Sequence, residues 1–171
     1  MSDTPVDRIY GALQKLISLH RELMECVRSE REALTQADLK KTHDLTCQKE
    51  ALIHSIRQVE MERIRAIDQL VMLWKTEAAG LTLNQIILRV QDINPKQSEQ
   101  MRSAYQALVL IVKRIQEQNE FNRGLVEKSL VHVAQMKQNI LGEASPKSEV
   151  YNQSGNKSRS SGSPRLISKE V

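Results

Sequence analysis

The residues best suited to chemistry lie on one helical stripe in the second quarter of the chain: His43, Cys47, Glu50 and His54. Their spacing of four, three and four places them on one face of a helix, and a His and a Cys four residues apart can share a metal ion. One straight helix, however, normally presents only two adjacent ligands to an ion. The preceding apolar repeat adds only His20 and Cys26, so we interpret the stripe as a polar face and predict no metal or cofactor.

The sequence also lacks the arrangements that mark common enzymes. It has no Gly-rich phosphate loop, no nucleophile elbow and no pair of Glu-x-x-His motifs for a di-metal bundle. None of its four histidines has the His-x-x-Lys-Gly context that is typical of a phosphotransfer domain. We therefore expect no catalytic residues and no enzymatic activity.

The net charge of +4 does not indicate nucleic-acid binding. Residues 143–171 hold five basic and three acidic residues, which leaves 20 basic against 18 acidic residues in 1–142. A duplex binder concentrates Lys and Arg on one face, and a single-strand binder adds stacking aromatics, which are only 3% of this chain. We therefore expect no nucleic acid among the partners.

Targeting signals are also missing from the sequence. The N-terminal residues 1–5 lack the charged and apolar regions of a signal peptide, and the longest strictly apolar run, 107–112, is far too short to span a membrane. We predict a cytoplasmic protein without membrane insertion, in which Cys26 and Cys47 are reduced thiols. Whether these two cysteines are adjacent is left open at this stage.

Capping residues mark four helix starts. They are Thr4-Pro5-x-Asp7, Thr35-x-x-Asp38, Thr82-x-x-Gln85 and Asn94-Pro95-x-Gln97. A hydroxyl or amide at the cap and a carboxylate or amide three residues later satisfy free N–H groups of the first turn. These marks predict helices over about 5–34, 37–77, 83–91 and 95–141, with Gly142 as a C-terminal stop.

Apolar residues recur in steps of four and three within the three long helices, which is the repeat of a coiled-coil seam. The first seam passes through Glu30, the second through Lys49 and the last through Asn119 and Asn122. Short connections favour antiparallel neighbours. We predict an all-α fold: a long antiparallel helical bundle or coiled coil of three long helices and one short helix. The bundle domain is predicted to occupy 1–142, followed by a disordered polar tail over 143–171.

The last long helix is the most informative element. Asn at a seam position costs stability and fixes register, and Gly124 in a helix interior costs about 1 kcal/mol relative to Ala. Asn119, Asn122 and Gly124 are explained equally by register control with a tolerated kink and by the close approach of another chain. Beyond them, Val126, Leu130, Val133, Ile140 and Leu141 form an apolar stripe flanked by Leu125 and Met136. If the other helices leave this stripe uncovered, it is a groove for a partner helix.

Several segments resemble, in order, the FlgN family of flagellar export chaperones. They are Ala33-Leu34-x3-Asp38-Leu39, Leu45-x3-Lys49-Glu50-x-Leu52, Leu81-Thr82-Leu83, Gln118-Asn119-x2-Asn122-x2-Leu125-x3-Ser129-Leu130-x2-Val133 and Tyr151-x3-Gly155. Together they cover roughly residues 9–155. The resemblance implies a bacterial cytosolic chaperone that binds hook–filament junction (hook-associated) proteins and presents them to the type III export gate.

The resemblance also implies roles for individual residues. Binding of the substrate protein would fall to the last helix, at Asn119, Asn122, Leu125, Val126, Leu130, Val133 and Ile140. Docking to the cytosolic domain of the export gate would fall to Tyr151 in the tail. The alternative class is a structural coiled-coil adaptor or stalk subunit of a secretion or ATPase assembly. In such a subunit the last apolar stripe would be permanently buried in an oligomer.

Overall fold

The computed structural model describes residues 4–75 and 81–141, and all the regular structure in these ranges is helical. The helices are α1 (Pro5–Thr35), α2 (Leu39–Trp74), α3 (Leu83–Ile93) and α4 (Pro95–Leu141). The chain divides into two compact units, Met1–Ser129 and Leu130–Val171. The all-α prediction of three long helices and one short helix is confirmed. The predicted tail, 143–171, lies outside the described residues, and the domain boundary after residue 142 stays a prediction.

Three of the predicted helix starts form as expected. The Thr4 hydroxyl accepts a hydrogen bond from the Asp7 amide, and the Asp7 carboxylate accepts from the Thr4 amide at 3.1 Å, which completes a capping box. Hydrogen bonds from the side chain and backbone of Thr4 lower the pKa of Asp7. Thr82 and Gln85 form a second capping box. The Asn94 amide oxygen accepts from the Gln97 amide at 3.2 Å at the start of α4.

The predicted cap at Thr35 is wrong. Thr35 is the last residue of α1, and its hydroxyl donates back to the Arg31 carbonyl at 2.8 Å. The break is instead made by Ala37, whose φ of 55° is left-handed and ends the helical path. Asp38 caps α2 by accepting from the Lys41 amide at 3.0 Å. Helix α2 therefore begins at residue 39 rather than 37, and it ends at Trp74 rather than near 77.

Contacts between the helices establish their directions within the first unit. Lys15 pairs with Glu62, and Glu30 pairs with Lys49, so residue numbers fall along α2 as they rise along α1. The Gln97 amide donates to Asp7, and the Asn122 amide donates to Glu30, so α4 runs parallel to α1. The three long helices are thus arranged up, down and up. Glu30 of α1 lies beside Asn122 of α4, so α1, which ends at Thr35, extends alongside α4 to about residue 127.

The buried core follows the predicted seam along α1. In α2 and α4 it includes residues off the predicted seams, such as Leu70 and Ile111, and the predicted seam residue Asn119 is exposed. The core includes Ile9, Leu13, Val27, Leu70, Ile86, Val90, Met101, Ile111 and Ile115. The short helix α3 joins this core through its apolar side, and the buried Ser98 hydroxyl of α4 donates to the Ile87 carbonyl at 2.8 Å. Helix α2 contributes fully buried residues only at Ala66, Leu70 and Val71. The fold thus depends most on the α1 and α4 seams, which hold the last helix in place as far as residue 122.

Candidate partner-binding site

The predicted seam residue Asn122 is buried, with 3% of its surface exposed. Its side-chain amide donates to the Val27 carbonyl and to the Glu30 carboxylate, each at 3.0 Å. The other Glu30 oxygen accepts from the Lys49 ammonium group at 2.5 Å. One polar residue from each long helix therefore meets in a single layer. The structure places the Asn122 side chain in the interior of the first unit, against α1.

This polar layer is incompletely satisfied. The Asn122 Oδ1 atom is buried and has no hydrogen-bond partner among the described residues. A buried unpaired acceptor costs about 1–3 kcal/mol, whereas a hydrogen bond to a charged group contributes about 1.5–3 kcal/mol. The bond to Glu30 therefore roughly offsets the unpaired acceptor, and the bond to the Val27 carbonyl leaves Asn122 with a modest net stabilisation. The evident effect of the layer is to define which residues of the three helices lie opposite one another, as buried Asn residues do in coiled coils.

The other predicted binding residues of the first unit lie nearer the surface. Asn119 is exposed, Leu125 is half-buried, and 40% of Val126 is accessible. A Cβ placed on Gly124 would have no atom within 4 Å, so nothing described in the chain itself requires a glycine there. These residues leave room beside α4 for another chain.

In the second unit the apolar side chains are open to solvent. The exposed fractions are 64% for Leu130, 62% for Val133 and 76% for Ile140. Met136 is 48% exposed, and Val131, at a position off the four-three repeat, is 57% exposed. Apolar residues of α4 are thus buried in the first unit at Met101, Ile111 and Ile115, whereas those named above are exposed in the second unit. Of the predicted stripe, Leu130, Val133 and Ile140 lie in this unit, and the side chain of Leu141 is outside the described residues. From here on, the apolar stripe means Leu130, Val133 and Ile140 together with the flanking Met136.

Charged residues lie just before the apolar stripe in sequence. Arg123 and Glu127 form an exposed ion pair at 2.9 Å, and the hydrogen bond from Arg123 to Glu127 raises the pKa of the guanidinium group. The Arg31 guanidinium lies 4.1 Å from the centroid of the Phe121 ring, which is a cation–π contact between α1 and α4. These contacts involve Phe121 and charged groups of the first unit, and none of them involves a residue of the apolar stripe.

The stripe considered for metal binding does not assemble a site. The Cys47 sulfur lies 3.9 Å from His43 Nε2, and the His54 ring contacts the Gln58 amide instead. Within residues 4–75 and 81–141, no group of three or more His, Cys, Asp or Glu could hold a metal ion. Cys26 and Cys47 are both free thiols. Cys26 is buried, and this burial raises the pKa of its thiol.

None of the helices in the described part of the chain is long and apolar enough to cross a membrane. What the structure offers is an apolar helical surface, together with exposed polar groups, of the kind that binds a segment of another protein.

Comparison with known proteins identifies the kind of partner. A family model described as FlgN protein matches residues 1–159, nearly the whole chain. The chain belongs to the FlgN family. No curated protein and no solved structure gave a significant match. FlgN proteins are chaperones of flagellar biogenesis, which gives the chain a role as a flagellar export chaperone with a flagellar protein as its partner.

The FlgN assignment confirms the resemblance inferred from the ordered motifs. Tyr151, predicted to dock to the export gate, falls within the matched range but lies outside the residues that the structure describes. Sequence reasoning missed the meeting of Glu30 and Lys49 with Asn122. All three interrupt apolar seams, and this shared interruption was the one available signal.

Proposed function

We propose that this FlgN-family chain is a cytoplasmic chaperone of hook-associated proteins, which form the hook–filament junction. In this proposal the apolar stripe on α4 binds a helical terminal segment of the cargo and keeps it from aggregating. The chaperone then delivers the cargo to the type III export gate, to which Tyr151 docks. The observation that carries the proposal is the exposure of Leu130, Val133 and Ile140 at seam spacing on one helix.

The exposed stripe supports a moderate, reversible affinity. Full burial of a Val, Leu, Ile or Met side chain contributes about 1.5–3 kcal/mol. Scaled by the exposed fractions of its four residues, the stripe offers roughly 4–7 kcal/mol before the costs of association and of ordering the cargo. Such an interaction needs further contacts for tight binding. Leu125, Val126 and Asn119 are the candidates nearest in sequence. Reversible binding suits a chaperone that must release its cargo.

In this proposal the seven predicted binding residues divide by role. Leu130, Val133 and Ile140 of the second unit contact the cargo, and Asn119, Leu125 and Val126 of the first unit make further contacts with it. The burial of Asn122 supports a role in holding the register of α4 rather than direct contact with cargo.

Binding to purified hook-associated proteins tests the proposal. The full chain should bind such a protein in isothermal titration calorimetry, and removal of the cargo's terminal helical segment should abolish the binding. The alternative is a structural adaptor or stalk subunit whose stripe is permanently buried. That alternative requires a stable oligomer of the chain, or of the chain with an assembly subunit, and no dependence on hook-associated proteins. Sedimentation of the free chain tests for a self-oligomer, and the titration with hook-associated proteins distinguishes the chaperone from an adaptor that needs another subunit.

A further inference from the structure

Helices α1 and α4 form a second open surface, entirely within the first unit. Two hollows of about 660 and 470 Å³ are lined by these two helices and by Gln36. The smaller lies between residues 10–21 of α1 and 96–107 of α4, and the larger between 24–36 and 114–118. Because α1 and α4 run parallel, the two hollows follow one another along the same pair of helices, with no lining residue of α4 between 107 and 114. We call the two hollows together the α1–α4 groove.

The groove has the spacing of a coiled-coil seam on both walls. On α1 the lining includes every residue of a series in steps of four and three: Tyr10, Gln14, Ile17, Arg21, Met24, Arg28, Arg31 and Thr35. Each of these residues directly follows a residue of the seam that starts at Ile9. On α4 the corresponding lining residues are Lys96, Gln100, Ser103, Ala107, Arg114 and Glu117. Two parallel helices with matched seams leave the position that another helix occupies in a four-helix bundle. A helix is therefore the element whose shape fits.

The floor of the groove is narrow and only partly apolar. Ile17 and Ala104 are buried at its base, and Ala107 and Met24 are half-buried. Small residues on the floor allow a partner helix to approach closely, but they offer little apolar area. Polar contacts along the rims must therefore supply much of the recognition.

The charged residues of the groove indicate the charge of the partner that it would bind. Its lining contains five basic residues (Arg21, Arg28, Arg31, Lys96 and Arg114) and three acidic ones. Arg28 already pairs with Glu25 at 2.7 Å, and Arg31 is held by stacking on Phe121. Arg21, Lys96 and Arg114 have no carboxylate partner among the described residues. Positioned guanidinium groups favour carboxylates.

We infer that the α1–α4 groove is a second docking surface, separate from the apolar stripe, and that it takes an acidic amphipathic helix of a partner protein. The bound helix places small apolar residues against the floor and Asp or Glu residues, repeated every seven positions, against the arginines of the rims. The interaction is expected to weaken with salt, because the rim arginines are exposed.

A designed peptide tests this inference directly. The probe is a labelled helical peptide of about 21 residues, three heptads, with Ala and Leu at seam positions and Glu at the flanking positions. A matched peptide replaces every Glu with Gln. Binding to the full chain is measured by fluorescence anisotropy at low and high salt. The chain variants are Arg28→Gln with Arg114→Gln, and Ser103→Glu, which places a carboxylate at an exposed position in the groove. Arg57→Gln with Arg65→Gln on exposed positions of α2 is the control of equal charge.

The Glu peptide should bind, and the Gln peptide should bind roughly tenfold more weakly, as expected when several exposed charge pairs are lost. The Arg28/Arg114 double variant and Ser103→Glu should each weaken the Glu peptide severalfold, with melting temperatures unchanged, whereas the α2 control should bind normally. Equal weakening by the α2 control, or equal binding of the two peptides, would overturn the inference. Self-association of the chain that the groove substitutions abolish would also overturn it, because the occupant would then be a second copy.

Discussion

Replacing Asn122 by Ala should destabilise the protein more than replacing Leu130 by Ala, although Leu is the more hydrophobic residue. The Asn122 amide makes two buried hydrogen bonds, one to the Val27 carbonyl and one to the Glu30 carboxylate. Bonds of these kinds contribute about 0.5–1.5 and 1.5–3 kcal/mol respectively, while removal of the unpaired Oδ1 returns about 1–3 kcal/mol. The net loss, including a small cavity, should be roughly 1–3 kcal/mol.

The corresponding loss for Leu130 should be smaller, because 64% of its surface is already exposed. Only about a third of a burial energy of 1.5–3 kcal/mol is at risk, which is less than about 1 kcal/mol. Urea unfolding followed by circular dichroism gives both free energies of unfolding. Asn122→Leu, which keeps the branching and the number of heavy atoms of the side chain, should cost less than Asn122→Ala. A larger loss for Leu130→Ala than for Asn122→Ala would refute the assignment of one residue to the core and the other to an open surface.

Three further predictions concern single residues elsewhere. Hydrogen bonds from Thr4 lower the pKa of Asp7 below 3.8, so the small stabilisation by the Asp7 carboxylate is present above that pH and is lost as the pH falls through the folded-state pKa. Asp7→Asn should therefore lower the melting temperature at neutral pH but not in strong acid. An equal difference in melting temperature between variant and unmodified chain at both pH values would contradict this. Gly124→Ala should raise the free energy of unfolding by about 0.5–1 kcal/mol, since nothing lies within 4 Å of the new Cβ; a decrease in urea unfolding would reveal strain instead. Tyr151→Ala should keep fold and cargo affinity but reduce binding to the export-gate domain and secretion of the cargo, and unchanged secretion would remove its docking role.

The helices were largely predictable because capping residues close in sequence determine where most of them begin. Thr4, Thr82 and Asn94 each cap a helix through residues three positions away, which a sequence displays directly. The cap at Thr35 failed because its hydroxyl can either open a new helix or donate back to the preceding turn. The left-handed Ala37, which decides between the two, has no side-chain signature.

The candidate site was predictable only in part. The apolar stripe follows from periodicity, but the sequence left open whether the other helices cover it, and its exposure became visible only in the structure. Which seam residues are buried depends instead on the offset between helices, which is a tertiary property. Glu30, Lys49 and Asn122 meet only because α1 is aligned antiparallel with α2 and parallel with α4. The α1–α4 groove was likewise invisible, because it requires two stripes to lie side by side.

Cargo binding by matched valine variants tests the central claim most directly. Val131 and Val133 are two positions apart, are of the same type and are 57% and 62% exposed, but only Val133 lies on the apolar stripe. Calorimetric titration of a hook-associated protein into Val133→Gln, alone and combined with Leu130→Gln, is compared with Val131→Gln and the unmodified chain. We predict that the stripe variants lose most of their affinity with nearly unchanged melting temperatures, while Val131→Gln binds normally. Equal affinity of the Val131 and Val133 variants, or a large fall in melting temperature confined to the stripe variants, would contradict the proposal that this stripe is the open cargo-binding surface.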